Sequence, residues 1–517
     1  MKNLPIGIQT FEKIISEKFL YVDKTELIYE LIDSSGYYFL SRPRRFGKSL
    51  LISTLKEIFS GNKELFKDLY IYDKIDWITY PVIRLDMSNV ISSKGKDFFG
   101  ESIINMLNII ANEYNIIIEN PIDYTDAFRK LIYKLSKINK VVVLVDEYDK
   151  PIIDYINNKD IASENRDLLK DLYSVLKSSD EYIKFCFLTG VSKFSKVSVF
   201  SGLNNLKDIT INERYSTICG ITQIELENNF NDRLNYLAIK LAIDKETLKQ
   251  EIKNWYNGYS WDGTNTVYNP FSLLNFFDDG TFKNYWFSSG TPTFLIDKFK
   301  TTDYKIEDID NSGATDDLFD SYDIDQFDYR SLLFQTGYLT ITNLDKTNRI
   351  YILNYPNKEV KESFLIHIVT AFIKKEVSDI RFINIQLQNA LKNNNLENFI
   401  DIIKSLIAGI PYQLHIPKEA YYHSLFYLIM ELMGIEIDME VSTSKGRIDG
   451  VVEFENNIYI LEFKYLTDLK NASKLLHEAI NQIKTKKYFE PYFKQSKPVK
   501  YLAVVINKDN VEYRVEE

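Results

Sequence analysis

Gly446-Arg447-Ile448-Asp449-Gly450-Val451-Val452-Glu453-Phe454, a polar turn at Glu455-Asn456-Asn457, and then Ile458-Tyr459-Ile460-Leu461-Glu462-Phe463-Lys464 form the stretch around which the chain is organised. Two apolar, β-branched runs flank a short turn, the pattern of a β-hairpin. Glu462 and Lys464 are two residues apart and share one face of their strand. A turn at Glu455-Asn456 sets Asp449 opposite Glu462, and a turn at Asn456-Asn457 sets it opposite Lys464. Either register gathers all three side chains on one face. Two carboxylates beside a lysine suit a hard cation such as Mg²⁺, with the lysine orienting or deprotonating the attacking water. A solvated face with ordinary cross-strand pairs is the bland alternative. Against it, Tyr459-Ile460-Leu461-Glu462-Phe463 reads as a strand buried on both faces, where an unpaired charge is costly.

Arg447-Ile448-Asp449 followed by Leu461-Glu462-Phe463-Lys464 resembles the PD-(D/E)XK nuclease signature, with isoleucine where the signature has proline. The resemblance implies metal ligation by Asp449 and Glu462 and a catalytic role for Lys464. It also points to an acid on the preceding helix, with Glu431 and Glu440 competing for that part, and to an assisting Gln482 after the hairpin. From Lys484 to Lys500 six lysines stand against the single acid Glu490, interleaved with Tyr488, Phe489, Tyr492 and Phe493. Next to a nuclease-like hairpin, that segment is a candidate for phosphate contact; alone it would read as a solvated face.

Near the other end, Phe39-Leu40 closes an apolar strand and Phe46-Gly47-Lys48-Ser49-Leu50-Leu51 opens a helix. Strand, tight loop and Gly-Lys-Ser at a helix start is the context of a P-loop. Lys48 would reach the β- and γ-phosphates of ATP and Ser49 would hold Mg²⁺. Arg42 stands where the Walker A pattern has its first glycine, so Arg42, Arg44 and Arg45 are expected to add charge to the cradle around Gly47. Val141-Val142-Val143-Leu144-Val145 is a continuous β-branched run, as a buried parallel strand should be, and it ends at Asp146-Glu147. This fits a Walker B pair, with Asp146 supporting Mg²⁺ and Glu147 orienting the attacking water. A third strand, Tyr182 to Leu188, leads to Thr189 and Ser192, placed where a polar sensor of the γ-phosphate would sit.

With Asp23-Lys24-Thr25, the loop Arg42 to Ser49 and Asp146-Glu147-Tyr148-Asp149 taken together, the chain resembles the bacterial AAA-ATPase-like family. Members share the arginine-bearing loop and commonly end in a PD-(D/E)XK domain. What lies between is less telling. Thr222-Gln223-Ile224-Glu225 has capping-box spacing, and 222–255 carries leucines at helical spacing. Trp255-Tyr256-Asn257-Gly258-Tyr259 and Tyr268-Asn269-Pro270-Phe271-Ser272 read as packing for a helical lid. Asp303 to Asp328 reads as an acidic linker, and Leu332 to Ile341 as a strand or wing.

A length of 517 residues calls for more than one core. The expected architecture is α/β: a P-loop AAA-like ATPase domain over 1–221, a mainly helical middle over 222–400, and a restriction-endonuclease-like α/β domain over 401–517. The net charge of −10 argues against non-specific coating of nucleic acid, although it hides local fields. Two cysteines, Cys186 and Cys219, offer neither a disulfide framework nor zinc spacing. The four histidines lack metal-ligand spacing. No signal peptide or membrane span is evident, so a cytoplasmic protein with no membrane partner is expected. The expected function is an ATP-binding and ATP-hydrolysing protein coupled to a Mg²⁺-dependent nuclease, with DNA ranked ahead of RNA as partner. A homo-oligomer and a place in genome or anti-phage defence are compatible with that expectation. Its rival is a nucleotide-switched nucleic-acid-binding or signalling ATPase with an inactive nuclease domain.

Overall fold

The computed structural model describes the chain except at residues 35, 157, 194–198, 201–202, 287–311, 321–327, 374–375, 394, 409–418, 433–436, 444–445, 455–456, 467–470, 493–496, 507–510 and 517. Lys494, His415 and most of the expected acidic linker lie outside the described residues. The chain divides into two compact units, one of Met1–Ser288 with Asn311–Val360, the other of Ser289–Asp310 with Lys361–Glu517.

The first unit holds a parallel sheet of β1 (Gly36–Ser41), β2 (Val82–Asp86), β3 (Val141–Asp146), β4 (Ile183–Gly190) and β5 (Leu206–Asp208), in the order β2-β3-β4-β1-β5. All six residues of β3 are buried, as are the last five of β1. Strands covered on both faces by helices need such unbroken apolar runs. Because β1 lies beside β4, and β4 beside β3, the loops leaving their C-terminal ends meet along one edge of the sheet. That edge is where open α/β sheets bind ligands.

The division into the two compact units does not fall at the expected residue 221. The capping box forms, with Thr222 and Glu225 bonding reciprocally at the start of the Gln223–Leu241 helix. That helix buries Leu226, Phe230, Leu234 and Leu237 in one core with Leu20, Ile221 and Tyr268. The apolar face of such a helix is stabilised mainly by tertiary packing, and here its partners include Leu20 and the helices that follow. The middle region also contains a small antiparallel sheet, β6 (Ser312–Ala314), β7 (Thr340–Asp345) and β8 (Ile350–Asn354), ordered β6-β8-β7. Leu332 to Ile341 is not one strand: Tyr329–Thr336 is helical, Gly337 ends it at φ 91°, and β7 begins at Thr340. The left-handed stop is a glycine's work, and the expectation of a strand overlooked it.

In the second unit β9 (Ile437–Thr443), β10 (Gly446–Phe454), β11 (Asn457–Tyr465), β12 (Val499–Ile506) and β13 (Val511–Glu516) form a mixed sheet in the order β13-β12-β11-β10-β9. The β10–β11 pair is the expected antiparallel hairpin, with Phe454 opposite Asn457. The two turn residues between them, Glu455 and Asn456, lie outside the described residues. Strands β11 and β12 run parallel, and the Ala472–Thr485 helix lies in the crossover that a parallel pair requires. It packs Leu476, Ala479 and Ile480 against Ala503 and Val505, and Ile483 against Ile448 and Ile460.

Two candidate active sites

In the P-loop, Ser41 ends β1 and the Lys48–Phe59 helix starts from Gly47 at φ 92°. Arg45 also has a positive φ, 68°, so the loop makes its turn without the Walker A glycine at position 42. Arg42 is fully buried. Its guanidinium donates to the carbonyls of Ser41 and Thr210, each at 2.8 Å, and of Tyr215 at 3.2 Å, and it lies 3.9 Å from the centre of the Trp261 ring. Burial lowers its pKa to about 10. Arg42 is therefore a strut under the loop: its two terminal nitrogens donate to backbone carbonyls and its face meets the indole, while its Nε has no hydrogen-bond partner among the described residues. Arg44 is exposed, while the Arg45 guanidinium stacks 3.8 Å over Phe271.

Lys48 is buried, and its ammonium donates to the carbonyls of Arg42 at 2.8 Å and Pro43 at 2.9 Å. Burial pushes its pKa down, with Asp146 and Asp149 opposing. Ser49 is half-buried in the first turn of the helix. Beside Gly47 opens a mostly apolar cavity of about 670 Å³, lined among others by Leu20, Val22, Leu50, Ile218 and Leu274.

The acids stand at the ends of neighbouring strands. Asp146 is buried, accepts from the Thr189 hydroxyl at 2.9 Å, and is paired across the sheet with Asp86. Glu147 follows it at φ 50°, and burial together with the Asp146 charge raises its pKa. Thr189 thus bears on Asp146. Ser192, the other sensor candidate, is 1% exposed and its hydroxyl donates to Asp149 at 2.7 Å. Asp149 itself was quoted in the sequence only as part of a resemblance; its place two residues after the acid pair was the signal available.

Sequence reasoning also missed how the P-loop is gripped from afar. Phe46 is buried edge-on against Tyr259 and Trp261, with ring centres 4.7 and 5.4 Å away. The Trp286 indole donates to the Arg44 carbonyl at 3.3 Å. Gly337 presses so close that an added Cβ would lie 2.7 Å from Pro43 Cβ. The side chain of Gln335, two residues earlier, accepts from the Lys193 amide at 2.9 Å. The aromatic motifs read as packing are indeed core: Tyr256, Tyr259 and Tyr268 are buried.

At the hairpin, Gly450 pairs with Leu461, and the same register continued by one residue brings Asp449 opposite Glu462. This is the alternative with the turn at Glu455-Asn456. Asp449 Oδ2 accepts from the Phe463 amide at 2.8 Å. Glu462 is 1% exposed, and its Oε1 accepts from the Lys464 ammonium at 2.9 Å and from the Gln482 amide. Asp449, Glu462, Lys464 and Gln482 therefore meet at one place on the sheet. Glu431, the acid expected as an extra ligand, has its carboxylate 2.5 Å from Lys361 Nζ. Of the lysines after the hairpin, Lys484 pairs with Glu516 at 2.5 Å, Lys487 with Glu490 at 3.5 Å and Lys497 with Glu453 at 2.7 Å. Tyr488 is buried core.

Among the described residues no three His, Cys, Asp or Glu side chains cluster as a metal cage. The hairpin set still fits a small hard cation by its chemistry: two carboxylates and no soft donor. Mg²⁺ is commonly held by one or two carboxylates, with water and substrate phosphate completing its shell. No helix among the described residues is long and apolar enough to cross a membrane.

A parallel sheet with a Gly-Lys-Ser loop beside a strand-end acid pair, and a mixed sheet carrying Asp, Glu and Lys on one hairpin, define an ATPase-type unit joined to a nuclease-type unit. Residues 5–200 match the family model described as "Predicted AAA-ATPase", and residues 417–516 match that of the PD-(D/E)XK nuclease superfamily. The chain is 38% identical over 521 residues to the "Uncharacterized protein in vnfD 5'region" of Azotobacter chroococcum mcd 1, an alignment spanning 98% of this chain and 97% of that protein. The chain belongs to the AAA-ATPase-like family and ends in a PD-(D/E)XK superfamily domain.

Proposed function

We propose that the protein binds and hydrolyses ATP in its first unit and cleaves phosphodiester bonds of nucleic acid, DNA ahead of RNA, in its second. The observation that carries the second half is the convergence of Lys464 and Gln482 on one carboxylate oxygen of Glu462, with Asp449 on the adjoining strand. Asp449 and Glu462 would hold Mg²⁺, which supplies charge neutralisation at the scissile phosphate and acidifies water. Lys464 orients the attacking water or takes its proton, and Gln482 keeps the Glu462 carboxylate aimed. In the first unit Lys48 leaves the Arg42 and Pro43 carbonyls for the β- and γ-phosphates. Ser49 and Asp146 hold Mg²⁺, and Glu147 orients the attacking water.

The test is purified protein on labelled DNA and RNA, with and without ATP, in Mg²⁺ or EDTA. Cleavage in Mg²⁺ that EDTA abolishes supports the proposal. ATPase activity without cleavage under any metal would instead mean a nucleotide-switched binding protein with an inactive nuclease fold.

A further inference from the structure

Strand β3 runs into Asp146-Glu147-Tyr148-Asp149, and the proposed chemistry uses the first two of these residues. The other two are bound to the end of β4 more tightly than packing alone requires. Asp149 is 1% exposed, and its Oδ2 accepts from the Ser192 amide at 2.6 Å, the Ser192 hydroxyl at 2.7 Å and the Val191 amide at 3.0 Å. The Tyr148 amide donates to the Thr189 carbonyl at 3.0 Å, and the Tyr148 hydroxyl donates to the Ser192 carbonyl at 2.9 Å. The Tyr148 ring lies against Gly190 so closely that a Cβ there would come within 2.5 Å of it. On the other side of Glu147, Asp146 is held by the Thr189 hydroxyl.

Glu147 is therefore fixed to β4 through both neighbours, and between them its backbone sits at φ 50°. For a residue with a Cβ, that region costs about 1–3 kcal/mol and persists only where the surroundings over-determine it. A carboxylate as buried as Asp149 is costly unless hydrogen-bonded, and here its acceptors are spent on the two residues that follow β4. We infer that Asp149 is a positioning residue: through Val191 and Ser192 it locks the end of β3 to the end of β4 and so holds Glu147 in the conformation that aims its carboxylate. The inference rests on the ATPase reading of the first unit and deepens it.

The experiment measures ATP affinity and turnover separately in the full chain. Asp149→Asn keeps the shape but replaces the charged acceptor of the Val191 and Ser192 bonds with a neutral amide oxygen, a weaker acceptor. It should lower kcat at least about ten-fold, since small misplacements of a catalytic group cost one to two decades, while ATP affinity stays within about two-fold. Ser192→Ala, a milder change that removes one of the bonds, should lower kcat by less and likewise spare affinity. In the Glu147→Gln background Asp149→Asn should cost nothing more, because a residue acting through Glu147 has nothing left to act on. Unchanged kcat in Asp149→Asn, parallel loss of ATP affinity, or full additivity in the double variant would each overturn the inference. Turnover that Glu147→Gln leaves intact would remove the role of Glu147 and this inference with it, whereas a wild-type protein with no ATP turnover would remove the ATPase reading itself.

Discussion

At the P-loop, the groups that decide the loop's shape come from far along the chain: Trp261 under Arg42, Tyr259 around Phe46, Trp286 on Arg44 and Gly337 against Pro43. At the C-terminal hairpin, Asp449, Glu462 and Lys464 are brought together by the pairing register of two adjacent strands, with Gln482 added by the next helix. The first site is assembled by tertiary contacts and the second by local pairing. A site of the first kind can be disturbed from a distance without touching its chemistry, whereas a site of the second kind fails mainly through its own residues. Both rest on buried charge made tolerable by hydrogen bonds, at Arg42 and Lys48 in one case and at Glu462 in the other.

The largest effects should come from the local site. Asp449→Ala and Glu462→Ala remove the carboxylates and should reduce DNA cleavage to background, measured on labelled substrate in Mg²⁺. Lys464→Ala should do the same while sparing metal binding read by calorimetry. Gln482→Ala, which only orients Glu462, should cost about 10–100-fold. ATP binding should survive all four. Cleavage that persists in Glu462→Ala would place the chemistry elsewhere and dissolve the comparison.

At the P-loop, Lys48→Ala should weaken ATP binding at least about ten-fold, equivalent to about 1.4 kcal/mol. Glu147→Gln should keep binding and lose turnover. Nucleotide titration and phosphate release separate the two. Equal ATPase rates in wild type and both variants would leave the first unit without its assigned activity.

The difference between the sites also explains what could be read from sequence. The hairpin was legible down to its face because alternation and turn length are local properties, and only its register stayed open between two choices. Strand β3 and the start of the Lys48–Phe59 helix were legible for the same reason. What escaped was tertiary. Nothing in the loop Arg42 to Ser49 says that Arg42 will be swallowed by carbonyls near residues 210 and 215 and by Trp261. Ser192 was placed at the strand end, and that Asp149 takes its hydroxyl was not legible there. Glu431 was found on its helix, and its Lys361 partner lies 70 positions upstream. The helices within 222–255 were legible from their leucine spacing, while the Pro270–Asp279 helix and the core that they share with Leu20 were not.

A substitution remote in sequence from the P-loop sharpens the comparison. Gly337 is left-handed, and a Cβ there would collide with Pro43 at 2.7 Å and approach Trp286 at 3.4 Å. Gly337→Ala should destabilise the first unit by about 1–3 kcal/mol, from backbone strain and overpacking together. It should also weaken ATP binding, because the nearest thing to move is the loop. Cleavage by the second unit, assayed without nucleotide, should be unchanged. Gly7→Ala is the control: it has a similar φ of 74° and nothing within 4 Å of an added Cβ, so it carries the strain without the collision. If Gly337→Ala left ATP affinity equal to that of Gly7→Ala, the P-loop would not be held from that side.

The smallest expected effect concerns the lysines after the hairpin. Each phosphate contact steepens the salt dependence of nucleic-acid binding by about one unit of slope. Lys484, Lys487 and Lys497 already face carboxylates, so touching a phosphate would mean exchanging one anion for another. Such pairs at the surface are weak, about 0–1 kcal/mol, and they restrain the exchange without forbidding it. Lys486, exposed and about 6.0 Å from the centre of the Tyr488 ring, has no carboxylate partner among the described residues. Lys486→Gln should therefore flatten the slope by about one unit, and the triple change of Lys484, Lys487 and Lys497 to Gln by less than one unit per lysine. Fluorescence anisotropy across a salt series, with Glu462→Ala present to prevent cleavage, reads both. A triple variant that lost its full three units would mean that the ion pairs open on binding and that the segment is a phosphate track. A slope unchanged in both would make it an ordinary charged surface, with the hairpin finding its substrate by other contacts.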